Sequence, residues 1–139
     1  MGQYHRICNL DKREFLNPHQ FGDGLKLMEF GHSSEGTLLA LTVLLAGSNG
    51  RGGGDFPGEG AGNWAGDRIA IIGDYYEASD AGYRDGIVNL HLDDYNDLWQ
   101  DEPTTWTDIS PMVRAALELS GERRRRLPEW SPYRVQEAS

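Results

Sequence analysis

The sequence predicts a single compact α+β domain, in which a small mixed or antiparallel sheet packs on a buried central helix and a long Gly-rich loop interrupts the chain. Three observations lead there. Near the N-terminus side chains alternate with a period of two, as a strand requires. Residues 38–46 are apolar except for Thr42, a run of helix length. Residues 69–72 read Ile-Ala-Ile-Ile, the composition of a strand in the middle of a sheet. At 139 residues the chain has the size of one domain, since domains take roughly 100 to 200.

Taken in order, residues 3–10 form a first strand that ends in the turn-like Asn9-Leu10-Asp11-Lys12, and residues 13–16 a second, which together make a hairpin. Asn17-Pro18 and Gly22-Asp23-Gly24 punctuate the chain, and the apolar residues of 25–30 fit a short strand or one helical turn. A helix over residues 35–46 follows. Ser33 or Ser34 is its expected N-cap, and Gly47 stands where a left-handed residue ends a helix. Its leucines occur on nearly every side, which predicts a central helix. Nine of the 18 glycines fall between Gly47 and Gly66, so residues 48–66 read as one long loop. Residues 68–76 are the expected anchor strand, residues 87–92 fit a strand or the start of a helix, and 93–100 fit a helical turn or two. Ser110-Pro111 is a helix start, with a stop expected at Gly121. Residues 1–121 then make an acidic α+β domain and residues 122–139 an Arg-rich, Pro-containing tail.

Thirteen basic against 22 acidic residues give a net charge of −9, which repels phosphate backbones and anionic lipid. Nucleic acid and membranes are poor partners on this ground. The tail is the exception, with a net charge of +2 against −11 for residues 1–121, and Arg123-Arg124-Arg125-Arg126 is a thin footing for an acidic surface or for nucleic acid. The single Cys8 fits a reducing compartment, and the longest apolar run is about half of what a bilayer span needs, so a cytoplasmic address is expected.

Several groups offer chemistry. Arg51, Gly52, Gly53, Gly54 and Asp55 form a loop whose backbone N–H groups and guanidinium suit an anion, although the segment follows a helix and matches neither a phosphate-loop nor a dinucleotide pattern. Trp64, Asp67 and Arg68 lead into the anchor strand, and Asp74 and Tyr75 leave it. Extended backbone separates Asp67 from Asp74 by about 20 Å, so they belong to different sites. Asp67 and Arg68 have a plainer use in pairing with surface neighbours, and Asp74 in starting a turn. Asp93, Asp97 and Asp101 would line one helix face without the oxygen order of a calcium loop. His5, His19, His32 and His91 lack zinc spacing, and Cys8 reads as a core thiol. No cofactor or metal is expected.

Three motifs together resemble an uncharacterised family of small bacterial and bacteriophage proteins with distant fungal relatives. They are Gly2-Gln3-Tyr4 with Asn9-Leu10-Asp11-Lys12, then Phe21-Gly22-Asp23-Gly24 through Met28-Glu29-Phe30, and Trp64-Ala65-Gly66-Asp67-Arg68-Ile69 with Gly73-Asp74-Tyr75. The resemblance covers roughly the first 75 residues. It brings no catalytic residue and implies an accessory gene product, of the kind a phage directs at its host. The expected function is therefore a non-enzymatic binding protein acting on a host protein or a small anionic ligand. The alternative is an enzyme on phosphoesters or nucleotides, with Arg51 and the loop amides holding an anion and Asp67 or Asp74 as base or metal ligand.

Overall fold

The computed structural model describes residues 3–32, 35–49, 56, 58–75 and 92–125, leaving aside the side chains of Leu92 and of residues after Glu118. The alternation at the N-terminus becomes strand β1, His5–Asn9, and a turn through Asp11 and Lys12 returns the chain as β2, Glu14–Leu16. Arg13 closes that turn with φ +57°, a left-handed backbone that few non-glycine residues adopt. Among the described residues the sheet has four strands in the order β3-β1-β2-β4, with β3 being Ile69–Gly73 and β4 being Thr107–Asp108. β1 is antiparallel to both neighbours, and β2 runs parallel to β4. The sheet is therefore mixed, in an α+β fold.

The period of two distributes the core to both faces. Ile7 pairs with Leu16, and these two share a cluster with Phe30, Ala40, Leu44, Trp64, Ile109 and Val113. Cys8 pairs with Phe15 and faces the other way, onto Leu10, Ile72, Tyr95, Leu98 and Trp106. The first face is covered by α1 (Leu27–Phe30), α2 (Thr37–Leu45) and α4 (Ser110–Arg125), the second by α3 (Leu92–Leu98).

The strand at 69–73 is central in neither sense expected of it. It lies at an edge of the described sheet, and Ile71 is 48% exposed. Its apolar run serves both layers, because Ile69 joins the first cluster and Ile72 the second. The middle of the sheet is instead the N-terminal hairpin.

The apolar helix α2 buries Thr37, Ala40, Val43 and Leu44 on one side and leaves Leu38 and Leu45 about two-fifths exposed. Its caps differ from those expected. Ser33 and Ser34 lie outside the described residues, the N-cap is Gly36, and the chain leaves through Ala46 in an extended conformation rather than through a left-handed Gly47. The ends are tied by remote groups. Asp23 Oδ2 accepts from Thr37 N at 2.8 Å and from Thr37 Oγ1 at 2.6 Å. At the other end Gly62 N donates to Val43 O at 3.0 Å and Trp64 N to Leu44 O at 2.9 Å, so orphan carbonyls of the last turn are satisfied by the returning loop. The last helix begins at Ser110 as expected but runs through Gly121 to Arg125. An interior glycine costs a helix only about 1 kcal/mol, too little to end it. Among the described residues no helix is long and apolar enough to cross a membrane.

Candidate functional site

The motif residues meet in pairs across the sheet. At one end of β1 and β3, buried Asn9 organises the turn: its Oδ1 accepts from Asp11 N at 3.0 Å and Lys12 N at 2.8 Å, and its Nδ2 donates to Asp67 Oδ2 at 2.8 Å. Lys12 Nζ pairs with the same Asp67 oxygen. Asp11 in turn receives Arg68, through the backbone N–H at 2.8 Å and the guanidinium Nε at 2.9 Å. These bonds hold both carboxyls below their usual range. For Asp11 the main cause is the Arg68 N–H, followed by its side chain; for Asp67 it is Lys12, followed by Asn9. Asp67 and Arg68 thus take the plainer use, as a clamp between the hairpin turn and the entry to β3.

At the opposite end of β3, Asp74 N donates to Tyr4 O at 2.9 Å and Asp74 Oδ1 accepts from Tyr4 N at 2.9 Å. Tyr4 and Tyr75 stand half exposed beside this bridge. Asp67 and Asp74 sit at different ends of one strand, as their spacing requires. Trp64 is fully buried in the first core cluster, and its Nε1 donates to Glu14 Oε1 at 2.8 Å. The central motif is equally occupied. Phe21 and Phe30 pack in the first core cluster, Asp23 caps α2, and a side chain at Gly24 would meet the Glu29 carboxylate at 2.5–2.6 Å.

Arg51, Gly52, Gly53, Gly54 and Asp55 lie outside the described residues. The neck of their loop does not: Asn49 Nδ2 donates to Phe56 O and Asn49 Oδ1 accepts from Phe56 N, both at 2.7 Å. His91 also lies outside the described residues. Among the described residues no group of three His, Cys, Asp or Glu is placed to hold a metal ion. The acidic stripe is divided, since Asp101 falls beyond α3 while Asp97 accepts from Thr104 N, Thr104 Oγ1 and Thr105 N at 2.9–3.0 Å. The Thr104 N–H is the main cause that lowers the Asp97 pKa. On the second face Arg6 lies 4.8 Å over the Phe15 ring and 4.6 Å over the Trp99 ring, and its Nη1 donates to Leu98 O. Burial lowers the Arg6 pKa, against the pull of Asp108. Burial likewise pushes the Cys8 thiol well up.

A different region has open space. Between the 3-10 turn Pro18–Phe21, the start of α2 and the middle of α4 lies a groove of about 440 Å³, within the usual range of ligand clefts. The turn is set by Asn17, whose Oδ1 accepts from His19 N at 3.1 Å, and it ends at Gly22 with φ +78°. Phe21, Leu39 and Leu117 supply the groove's apolar groups; His19, Glu35, Arg114 and Glu118 supply its polar ones. Arg114 Nε donates to Glu118 Oε1 at 3.0 Å, an exposed pair one turn apart on α4. Apart from Phe21, which opens the second motif, none of these apolar and charged groups belongs to a motif. The spacing of Arg114, Leu117 and Glu118 is that of one helix face, but it takes the fold to bring Glu35 and the 3-10 turn opposite it. No family model, curated protein or solved structure matches the chain.

Proposed function

We propose that this protein is a non-enzymatic binding protein that holds a segment of a host protein in the groove between the 3-10 turn, α2 and α4. The observation that carries this reading is the groove itself: a cleft of about 440 Å³ with apolar side chains between charged ones, the composition of an interface whose core is dry and whose rim is wet. The motif carboxylates support it from the other side. Asp11, Asp67 and Asp97 spend their oxygens on intramolecular bonds that hold the scaffold together. The resemblance to bacterial and bacteriophage proteins supports an accessory role on a host protein, and the single buried thiol supports a cytoplasmic setting.

The test is a comparison of the immobilised wild-type chain with Leu39→Asp, both checked for unchanged thermal unfolding, in a bacterial extract. A partner identified by mass spectrometry is expected to lose at least about tenfold in retention on the variant, as a charge facing a dry interface demands. Equal retention by both chains refutes the reading. So does residue-dependent turnover of nucleotides or phosphoesters by the purified protein.

A further inference from the structure

We infer that the segment taken by this groove is cationic, an Arg- or Lys-bearing stretch of the partner with one apolar anchor. The inference rests on the binding reading above and adds the chemistry of the occupant. Two carboxylates, Glu35 and Glu118, flank an apolar floor of Phe21, Leu39 and Leu117, with Arg114 as the one Lys or Arg on the lining among the described residues. Glu35 has no partner among the described residues. Among the described residues Glu118 is committed only through Oε1 to Arg114, and this pair is 55% and 66% exposed, so it is worth little and yields readily to a second guanidinium. Three acids elsewhere are committed within the fold: Asp23 is tied to Thr37, Asp67 to Asn9 and Lys12, and Asp97 to Thr104 and Thr105. What sets the groove apart is that two carboxylates stand beside a surface that can anchor an apolar side chain, on a molecule of net charge −9. The overall charge draws the same sign of partner from a distance.

Three fluorescein-labelled peptides titrated into the full chain test this by polarisation: an Arg- and Leu-containing decamer, the same decamer with Glu for Arg, and a peptide of residues 122–139. The cationic decamer is expected to bind at least about tenfold more tightly than the acidic one, and to weaken at least about tenfold between about 50 and about 300 mM salt. The double variant Glu35→Lys with Glu118→Lys is expected to lose that binding by about tenfold or more. A control of equal charge change, Glu59→Lys with Asp101→Lys, is expected to stay within about threefold, because both side chains lie outside the groove. Equal binding of the cationic and acidic decamers overturns the inference, and so does an equal loss in the control variant, which would assign the effect to overall charge. Binding of the 122–139 peptide about tenfold more tightly than the decamer also overturns it, in favour of this chain's own Arg-rich segment as occupant. If Leu39→Asp abolishes partner retention while Glu35→Lys with Glu118→Lys does not, the cationic assignment fails and the binding reading stands.

Discussion

Replacing Asp23 by alanine should destabilise the protein more than any local reading of residues 21–24 would suggest. The carboxylate reaches across 14 residues to accept both the backbone N–H and the hydroxyl of Thr37, which is fully buried at the first turn of α2. Loss of an N-cap acceptor costs about 1 kcal/mol. Leaving the buried Thr37 hydroxyl without an acceptor adds about 1–2 kcal/mol, so Asp23→Ala should cost about 2–3 kcal/mol. Against a stability of about 5–15 kcal/mol this is a large fraction, and it corresponds to a fall in Tm of roughly 6–12 °C. Asp23→Asn keeps an acceptor and gives up only the charge at the helix N-terminus, for about 0.3–1 kcal/mol. Urea unfolding followed by tryptophan fluorescence is a suitable assay, because Trp64 is buried and bonded to the far end of the same helix. A cycle with Thr37→Val isolates the hydroxyl bond, and a coupling of about 1 kcal/mol is expected. A cost for Asp23→Ala below about 0.5 kcal/mol, or an equal cost in the Thr37→Val background, would refute the capping argument.

Three other outcomes follow from the same contacts. Asp11, Asp67 and Asp97 all titrate below the ordinary carboxyl range, so the stability they lend is complete above the unfolded value of about 4 and is lost as pH falls through their lowered folded values. The urea midpoint should therefore drop between about pH 5 and pH 2, and Asp97→Asn should flatten part of that drop; an unaltered slope would contradict it. Gly62→Ala should cost about 1–3 kcal/mol, because Gly62 has φ +83° and a Cβ there would come within 2.8 Å of Ala46 O, whereas Gly24→Ala meets only the end of the Glu29 side chain and should cost less than about 1 kcal/mol in denaturant melts. Cys8 should react with Ellman's reagent only as fast as the protein opens globally, given its full burial and raised thiol pKa; an immediate reaction in native buffer would show the second face of the sheet to be accessible.

What the sequence discloses about this fold is mainly local. The alternation around Ile7 and Cys8 and the Asn9 turn announce the hairpin, the leucines of 38–45 announce α2, and Ser110-Pro111 announces α4. What it conceals depends on partners far along the chain. Serines next to α2 look like caps, yet the cap comes from Asp23, and β4 has only two residues whose place beside β2 no periodic pattern could reveal. The β-branched run at 69–72 reads as a central strand because burial on two faces and a central position leave the same composition. For the site, the suggestion that Asp67 and Arg68 pair with neighbours is right in kind, but nothing nearby says that the neighbours are Lys12 and Asp11. The groove was invisible because its residues come from three separate segments.

The clamp between the hairpin turn and β3 also sets the order in which the protein can be made. Asp11 waits for Arg68, 57 residues later, and closing a flexible loop of that length costs on the order of 3–4 kcal/mol in chain entropy before a constant term. The central strand precedes the segments that cover its second face by many residues, that face waiting for Tyr95 and Trp106. A nascent chain that stalls before residue 68 would carry a hairpin with Cys8, Leu10 and Phe15 open to water on the second face and its edge toward β3 unpaired. The hairpin is therefore the segment that waits longest for its cover, and the one that most needs protection from aggregation while it waits.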